Sequence, residues 1–395
     1  MTHRSVPAVL AAVALPVVLL SAWSGPAVAD GTGAPAYRIT ELPSLGGSIS
    51  TATGVNDRGW ITGSSTLAGD RITHAALWRS GRVTDLGTLG GDNSAAVFSS
   101  HSNRFVVGVA ETAAVNPDGE DWSCSVFFAA AASHHDCVGF VWQDGRMRPL
   151  PTLGGHNGFA AGSNRRGDIV GWAENGRLDP TCSGTQIRQF RAVRWDARTH
   201  RAHELPPLPG DSTSAATAIN DRGDAVGISG ACGFAVGGVS AAHAVRWDAD
   251  GTPHDLGRIG GVQWNTPVAI NERGLITGFA NVPGGATPAS FYPNAFAWSP
   301  RSGIRTLGTL PGDVLSEGLG LNDHGQIVGE SCQAHLANCR AVLIEDGHMT
   351  ALRPQAGTPL TLLDADDIND QGTIAGTARH GASTVAYAAE PVGPR

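Results

Sequence analysis

A short repeated motif constrains the fold of this chain more than any other feature. Its clearest copy runs from Ala218 to Gly227 and reads as a strand, a four-residue reversal at Asn220-Asp221-Arg222-Gly223, and a second strand. Asn favours a tight turn and Gly accepts a positive φ, so the motif predicts a β-hairpin. The reversals begin at Asn56, Asn103, Asn164, Asn220, Asn271, Asn322 and Asn369. The copy at Asn103-Arg104 lacks the Gly. A further Gly follows each reversal, at Gly63, Gly108, Gly171, Gly227, Gly278, Gly329 and Gly376.

Two other elements recur with the hairpin and divide the chain into seven units. A loop motif precedes each hairpin, with copies that begin at Leu42, Leu86 (Leu-Gly-Thr-Leu-Gly-Gly), Leu150, Leu205, Leu256, Leu307 and Leu352. A short strand that ends in Trp follows most hairpins, at Trp78, Trp142, Trp195, Trp247 and Trp298. The last two units carry Ile344 and Ala388 instead. Each unit therefore offers four short strands in about fifty residues, which is typical of a β-propeller blade.

The sequence thus predicts an all-β, seven-bladed β-propeller with four short antiparallel strands per blade. The strand Tyr37–Leu42 precedes the first hairpin, and the last unit ends on the strand Thr384–Tyr387. If blades are counted from the hairpins, the seventh is one strand short. We therefore expect the N-terminal strand to pair with the last blade and close a single domain over residues 37–390. An open β-solenoid is the alternative, although about fifty residues is long for its repeat.

The N-terminal residues have the pattern of a secretory signal peptide. The apolar run from Val6 to Leu20 is too short for a membrane span, and the small residues Ala27-Val28-Ala29 follow it. We expect cleavage between Ala29 and Asp30 and a secreted, extracellular product with no membrane span. The predicted segments outside the propeller are the signal peptide at 1–29, a short linker at 30–36 and a C-terminal tail at 391–395.

Composition argues against binding to nucleic acid. Only 16% of the residues are charged, the formal net charge is -8, and all 27 basic residues are Arg, scattered along the chain. Such a chain offers no basic face to nucleic acid or anionic lipid. We expect the product to be a monomer.

The six Cys residues of an exported chain predict disulfide bonds. We expect Cys124–Cys137 and Cys332–Cys339 each to close one insertion, and Cys182–Cys232 to join two adjacent units. Sequence alone also permits other pairings. The absence of a Cys-x-x-Cys pair argues against a structural zinc site.

The three recurring elements, Leu-Gly-Thr-Leu-Gly-Gly, Ile-Asn-Asp-x-Gly-x-Val-x-Gly and His-Ala-x-x-Trp, together resemble the repeats of the HAF family of extracellular proteins. The resemblance extends from Tyr37 to about Glu390. It implies a secreted repeat protein and no established catalytic activity. The chain departs from the pattern at Asn103-Arg104, and the His-Ala element is literal only at His74-Ala75 and His243-Ala244.

Three groups of residues have metal-ligand chemistry, and each has a simpler explanation. The Asn-Asp-x-Gly oxygens suit Ca²⁺, but copies at the same place in every unit are better explained as turns. The acidic run Asp364–Asp367 lacks the Gly and the distal Glu of an EF-hand loop. In His134-His135-Asp136-Cys137, we expect Cys137 to be used in a disulfide. We therefore predict no metal and no cofactor.

No catalytic residue is predicted. Gly162-Ser163-Asn164 lies in a hairpin without a following helix, so it is not a nucleophile elbow. The Gly-rich loops lack the Gly-Lys-Ser/Thr of a phosphate-binding loop. A carboxylate pair for glycoside chemistry cannot be identified without distances.

The long connections between the strand after the hairpin and the strand that ends in Trp are the least regular parts of the chain. They are Glu111–Cys137, Trp172–Gln189, Ile228–Ala242, Phe279–Pro293 and Glu330–Cys339. We expect them to crowd one face together with the Leu-Gly-Gly loops, called here the long-loop face. Loops on a rigid scaffold are the usual place for binding.

Aromatic residues of the long-loop face are the binding candidates, namely Trp122, Trp264 and Tyr292. Such side chains stack on sugar rings or anchor protein partners. The alternative is that they form a small core beneath the loops. We therefore predict a non-enzymatic propeller that binds a glycan, a cell-wall polymer or a protein. The alternatives are a propeller enzyme acting on polysaccharide, such as a lyase or hydrolase, and a purely structural surface protein.

Overall fold

The structure is a computed structural model that describes residues 37–96, 101–120, 124, 127–128, 133–233, 235, 237–283, 291–355 and 357–392. The predicted signal peptide at 1–29 and linker at 30–36 lie outside the described residues. Within them the fold is all-β, with two short 3₁₀ turns at Gly238–Ala241 and Ala334–Leu336. No helix in this part of the chain has the length and apolar character needed to cross a membrane.

The strands follow the repeat of the sequence. The N-terminal strand and the first unit supply β1 (Tyr37–Glu41), β2 (Gly46–Val55), β3 (Ile61–Leu67), β4 (Thr73–Arg79) and β5 (Arg82–Asp85). The second unit forms β6 (Gly90–Ala95), β7 (Val106–Val115), β8 (His135–Gln143) and β9 (Arg146–Pro149), and the third forms β10 (Gly154–Ser163), β11 (Ile169–Leu178), β12 (Arg188–Trp195) and β13 (Ala202–Leu205). The fourth forms β14 (Thr213–Ile219), β15 (Ala225–Gly230), β16 (His243–Trp247) and β17 (Pro253–Asp255).

The remaining units continue the same order. The fifth forms β18 (Thr266–Ile270), β19 (Ile276–Asn281), β20 (Pro293–Ser299) and β21 (Gly303–Gly308), and the sixth forms β22 (Leu315–Leu321), β23 (Ile327–Gln333), β24 (Ala337–Glu345) and β25 (His348–Ala351). The last unit supplies β26 (Thr361–Leu362), β27 (Asp367–Ile368), β28 (Ile374–His380) and β29 (Ser383–Pro391). Units two to six are each a four-stranded antiparallel sheet, hydrogen-bonded in chain order. The predicted four-stranded antiparallel repeat is confirmed for these units.

The first and last units share one nine-stranded sheet. A single parallel bridge between Ile49 and Thr384 joins β2 to β29. Strand β1 lies antiparallel to β29, with Tyr37 opposite Pro391 and Glu41 opposite Tyr387. This is the pairing that the sequence predicts for the N-terminal strand.

Each hairpin is held by its Asn side chain. In the fourth unit, Asn220 Oδ1 accepts hydrogen bonds from the backbone N–H groups of Arg222 at 3.1 Å and Asp224 at 3.0 Å, while Gly223 has φ 90°. The second unit differs from the sequence prediction. There the Ser102 hydroxyl, not Asn103, accepts the bond from the amide two residues on, at Arg104. The predicted hairpin start at Asn103 was therefore wrong by one residue, because Ser can replace Asn as the acceptor in such a turn.

Neighbouring sheets are locked together by a repeated hydroxyl contact. A Ser near the start of each inner strand accepts a hydrogen bond from a backbone N–H in the third strand of the preceding unit, at 2.9–3.0 Å. The pairs are Ser50 with Ala386, Ser94 with Ala75, Ser214 with Ala192, and Ser316 with Ala295. These four contacts join units seven and one, one and two, three and four, and five and six.

The recurring Trp residues fill the space between adjacent sheets. Trp247 is fully buried and packs against Val170 and Ala192 of the preceding unit. Its indole N–H donates to the Pro206 carbonyl at 2.7 Å. Trp78 and Trp195 make the same contact, to Pro43 and Pro151. The Trp is therefore both a packing residue and a hydrogen-bond donor, as expected for a buried indole.

The long connections are shorter than the sequence predicts in two units. Strands β7 and β11 run on to Val115 and Leu178, well into the segments expected to be irregular. The ends of these strands are exposed on both faces, so they lack the alternation of buried and exposed residues that predicts a strand. All three predicted disulfides are present, Cys124–Cys137, Cys182–Cys232 and Cys332–Cys339.

Candidate functional site

The hairpins lie side by side and are joined by side-chain hydrogen bonds. The Nδ2 of each hairpin Asn donates to the backbone carbonyl at the matching position of the next unit, at 3.0–3.2 Å. The donor and acceptor pairs are Asn56–Ser102, Asn164–Asn220, Asn220–Asn271, Asn271–Asn322, Asn322–Asn369 and Asn369–Asn56. A backbone bond from His101 to Ser163 joins the second unit to the third. The bonds that start at Asn56 therefore pass through every unit and return to it.

Five carboxylates surround Arg165 inside this circle of hairpins. They occupy the second hairpin position and each accepts the backbone N–H of the preceding unit at 2.6–3.1 Å; they are Asp57, Asp221, Glu272, Asp323 and Asp370. The Arg165 guanidinium lies 2.6 Å from Asp221, 3.3 Å from Asp57 and 3.8–3.9 Å from the other three. We call this group the Arg165 ring. The hydrogen bond to Asp221 raises the pKa of Arg165, and burial raises that of Glu272.

A His–Asp pair lies behind the Arg165 ring. His101 Nε2 is 3.6 Å from the Asp367 carboxylate, which also accepts the Val55 N–H at 2.9 Å. Burial lowers the pKa of His101, but the hydrogen bond and charge of Asp367 outweigh it, so that the pKa is raised overall. At the position of His101 most other units carry an aliphatic residue, for example Ile219 or Leu321. The pair therefore links the second unit to the last across the interior.

The pocket formed by the described residues of the hairpin end is small. The pocket between the Arg165 ring and His101 has a volume of about 40 Å³, little more than the share of one water in the liquid. The prediction that these motifs are turns describes their backbone. It missed that their acidic side chains accept bonds from the preceding unit and that Arg165 occupies the position a cation would take.

The opposite end of the same strands is asymmetric. Seven residue pairs face each other across the two hairpin strands, one pair in each unit, about 16 Å from the hairpin Asn. The pairs are Thr51–Ser64, Ala95–Val109, Phe159–Trp172, Ala215–Ile228, Thr266–Phe279, Glu317–Glu330 and Asp364–Thr377. In units two to four these residues belong to one buried apolar cluster. In units six and seven they include three carboxyl groups.

Four half-buried acidic residues form what we call the carboxyl cluster: Glu317, Glu330, Asp364 and Asp366. Burial and the charge of Asp364 raise the pKa of Glu317 to about 7. Burial and the charges of Glu317 and Asp364 raise that of Glu330 well above its usual range. The pKa values of Asp364 and Asp366 are raised as well, again chiefly by burial. Among the described residues, no Arg or His forms an ion pair with these four groups.

The carboxyl cluster differs from the structural carboxylates elsewhere in the fold. The fully buried Glu174 carboxylate accepts bonds from the amides of His156 and Asn157 and from the side chains of Asn157 and Gln186 at 2.9–3.2 Å. Glu174 thereby holds the Leu-Gly-Gly loop of its own unit. By contrast, no hydrogen bond from a described residue reaches the carboxyl groups of Glu317 and Glu330. Their polar atoms are therefore available to a ligand.

An aromatic group lies in the fifth unit, which precedes the two units of the carboxyl cluster. Trp264 and Phe291 pack edge to face with ring centroids 4.7 Å apart, and Phe279 lies 5.9 Å from Phe291. All three are half-buried. A Cβ on Gly318 would lie 2.3 Å from Thr277 Oγ1, so β22 runs directly against β19. The strand that carries Glu317 therefore lies beside the strand that carries Phe279, while the Glu317 side chain points to the face of β22 opposite to that of Gly318.

The predicted binding residues have different outcomes. Trp122 lies outside the described residues. Trp264 adopts φ 63°, an unusual backbone conformation for a bulky residue, and its buried indole N–H has no partner among the described residues. Tyr292 is half-buried, and its backbone N–H donates to Asn281 Oδ1 at 2.9 Å. Trp264 thus belongs to the aromatic group and Tyr292 follows its member Phe291 in sequence, while their role in binding stays a prediction.

Cysteine does not provide a metal site in the described part of the chain. Each of the three acidic-and-sulfur groupings there combines one carboxylate with both sulfurs of a disulfide, and a disulfide sulfur is not a thiolate ligand. Cys137 of the His134–Cys137 run is one of these residues, and Asp136 lies 3.6 Å from His156.

Arg165, His101, Glu317 and Glu330 were not singled out from the sequence. Each differs from the residues at the same position of the other units. Arg165 stands where most units have Asp or Glu, and Glu330 stands where three units have Val, Trp or Ile. An alignment of the seven units with one another identifies these four residues as exceptions. Their convergence would still have required the three-dimensional arrangement, because they come from different units.

Comparison with known proteins supports the fold and no more. No protein-family model matches the chain, and no curated protein matches it. Among solved structures it is similar to the β-propeller domain of the Trilobed protease from Pyrococcus furiosus, with 8% identity, a TM-score of 0.50, and coverage of 92% of this chain and 97% of that one. It also matches puromycin hydrolase, with 12% identity and a TM-score of 0.48, covering 92% of this chain and 57% of that one. The chain has a propeller-like all-β fold.

Proposed function

We propose that the seven units are seven blades of a closed β-propeller. The circle of hairpin hydrogen bonds supports this count, since it visits one residue position per unit and returns to Asn56. The pairing of β1 with β29 supports closure through the last unit, because it supplies the strand that this unit lacks. In this arrangement each four-stranded sheet is one blade, and the nine-stranded sheet contains the first and the last blade.

We further propose that the protein is secreted and belongs with the HAF-type extracellular repeats. The signal-peptide pattern at 1–29 and the three disulfides support export, since disulfides persist in oxidising compartments. The recurrence of all three sequence elements supports the family resemblance.

The function that the geometry supports best is binding of a carbohydrate at the long-loop face, where the aromatic group meets the carboxyl cluster. The observation that carries this proposal is the break in symmetry at one register. Positions that are apolar in units two to four become Glu317, Glu330 and Asp364 in units six and seven. A scaffold alone gives no reason to place unpaired carboxyl groups there, because burying them costs free energy.

The chemistry of the two groups suits a sugar. Aromatic faces provide flat apolar contacts for the C–H face of a ring. Glu317, whose pKa is raised to about 7, is partly protonated near neutral pH, so it can both donate and accept hydrogen bonds. Sugar hydroxyls require both. A non-enzymatic binding role follows if the ligand leaves unchanged.

A polysaccharide-cleaving enzyme is the second candidate, and the pKa of about 7 for Glu317 favours it. A carboxyl group that stays protonated near neutral pH can act as the general acid that glycoside cleavage needs. A neighbouring carboxylate such as Asp364 would be the base or nucleophile. If the protein has a purely structural role, neither Glu317 nor Asp364 contacts a ligand.

The test is a glycan array probed with the mature chain, residues 30–395, followed by titration calorimetry on the strongest hit. We expect Phe279→Ala and Glu317→Gln each to weaken binding on the order of ten-fold, since each removes one principal contact. Glu204→Gln, the same change on the exposed strand β13, is the control and should bind like the wild type. Release of shortened glycan would replace the binding role by the enzymatic one. Failure of the wild type to bind any glycan would exclude both.

A further inference from the structure

A second cavity lies away from the long-loop face, at the rim between the second and third units. Its volume is about 270 Å³, and its lining residues are Val141, Gln143, Asp144, Arg146, Arg148 and His200. In the register of β8 and β9, Val141 is opposite Arg148 and Gln143 is opposite Arg146. These four side chains therefore share one face of the outer strands, because alternate residues of a strand point the same way. We call this cavity the rim cleft.

The second unit carries Val141 where the next two units carry Arg. The matching residue of the third unit is Arg194, whose guanidinium reaches across to the next unit and donates to the Ala249 carbonyl at 3.0 Å. In the fourth unit Arg246 takes this position and pairs with Asp248. Val141 is buried in an apolar cluster with Val193 and Trp195 of the third unit, so no long side chain from this position projects into the cleft.

The positive charges of the cleft are not neutralised within the fold. Arg146 and Arg148 are exposed, and neither forms an ion pair with a described residue. In contrast, Arg38, Arg188 and Arg340 each pair with a carboxylate at the surface. The only carboxylate that lines the rim cleft is Asp144, in the turn that joins β8 to β9.

His200 faces the two arginines from a rigid turn of the third unit. Its φ is 52°, and its backbone N–H donates to the Asp196 carbonyl at 2.9 Å. The Asp196 carboxylate accepts bonds from the amides of Arg198 and Thr199 and from the Thr199 hydroxyl. These bonds lower the pKa of Asp196 to about 2, so it stays ionised and keeps the turn in place.

We propose that the rim cleft binds a tetrahedral oxyanion, the phosphate or sulfate group of an anionic polymer. The Cα atoms of alternate residues of one strand lie about 7 Å apart, so the long side chains of Arg146 and Arg148 can both donate to one such group or to adjacent groups of a chain. The His200 ring supplies a third contact from the opposite wall. The site is independent of the proposed carbohydrate site, because none of its residues belongs to the aromatic group or the carboxyl cluster.

The experiment titrates the full mature chain with inorganic phosphate, inorganic sulfate, dextran sulfate and uncharged dextran. The informative variant is Arg148→Thr, because the first and sixth units carry Thr84 and Thr350 at this position and the fold accepts Thr there. The matched control is Arg305→Thr, which removes the same charge from the same position in the fifth unit. Equal thermal midpoints will establish that both variants are folded.

We expect dextran sulfate to bind the wild type and Arg305→Thr within two-fold of each other, and Arg148→Thr to bind on the order of ten-fold more weakly, because a charged bidentate contact is lost. If inorganic phosphate or sulfate binds with the same ranking of affinities among the wild type and the two variants, the cleft binds small anions rather than a polymer. This result would support the oxyanion chemistry. Equal weakening by Arg148→Thr and Arg305→Thr would overturn the proposal in favour of diffuse surface charge. So would the absence of binding by any anionic probe.

Discussion

Replacing Arg165 with Gln removes the guanidinium at the centre of five carboxylates and keeps a side chain of similar length. The nearest carboxylate oxygens lie 2.6 and 3.3 Å away, and the other three lie 3.8–3.9 Å away. Without the cation, five negative groups from five units face each other within one small pocket. We expect the variant to be less stable at neutral pH.

The size of the effect follows from exposure. An exposed ion pair contributes up to about 1 kcal/mol, and breaking a buried one costs about 3–5 kcal/mol. The Arg165 side chain is 38% exposed and its partners are 20–29% exposed, so screening by solvent places the loss between these limits. We expect about 2 kcal/mol, which for about 350 ordered residues lowers Tm by about 3 °C.

The pH dependence identifies the cause. The carboxylates carry their charge above their pKa values, so the difference between wild type and Arg165→Gln should be present at pH 7 and shrink below about pH 4. Millimolar Ca²⁺ should raise Tm of the variant more than that of the wild type, because oxygen ligands converge on the emptied position.

The assay is thermal and urea unfolding at pH 4 and pH 7, with Arg166→Gln as the control. Arg166 is the next residue in the same hairpin, and its replacement changes the net charge equally. Similar losses for the two variants, with the same pH dependence, would refute the central role of Arg165.

Three further predictions concern the rest of the fold. Glu317→Gln should stabilise the protein at pH 8 by up to about 3 kcal/mol and have little effect below pH 4. The reason is that the pKa of Glu317 is raised to about 7 in the folded state, so its ionisation lowers the stability of the wild type as the pH rises from the unfolded pKa of 4.5 to about 7. Urea unfolding across this pH range measures the effect, and a difference that does not change with pH would contradict the prediction. Replacing Cys182 and Cys232 by Ala opens a 50-residue loop and should cost about 4 kcal/mol relative to the oxidised wild type in urea unfolding. A loss below about 1 kcal/mol would contradict this, and full reduction of the wild type should cost more, because it opens the other two disulfides as well. Trp247→Phe removes a fully buried indole and its bond to Pro206 and should cost about 2 kcal/mol in chemical denaturation, whereas a loss below about 0.5 kcal/mol would mean that this Trp does not hold adjacent units together.

The repetition of the sequence predicts the strands well, because each unit repeats the same alternation of apolar runs and turn residues. The pairing of Tyr37 with the last strand could also be predicted, since the final unit lacks one strand. The second hairpin could not be placed correctly, because Ser102 performs there the role that Asn performs elsewhere.

The candidate site was less accessible from the sequence. Local reasoning explained the hairpin Asp residues as turn formers and could not show that Asp221 of the fourth unit bonds the backbone of Arg165 in the third. Glu317 and Glu330 are unremarkable in a linear reading, since single acidic residues usually lie on exposed faces. Their significance comes from register, which places them where other units carry apolar pairs.

The most direct test of the proposed function compares the two ends of the molecule in one titration. A glycan identified on the array is titrated into the wild type, Phe279→Ala and Arg165→Gln at pH 7. If carbohydrate binds where the aromatic group meets the carboxyl cluster, Phe279→Ala will weaken binding on the order of ten-fold and Arg165→Gln will bind like the wild type. Weaker binding by Arg165→Gln with full binding by Phe279→Ala would contradict this and place the site at the hairpin end.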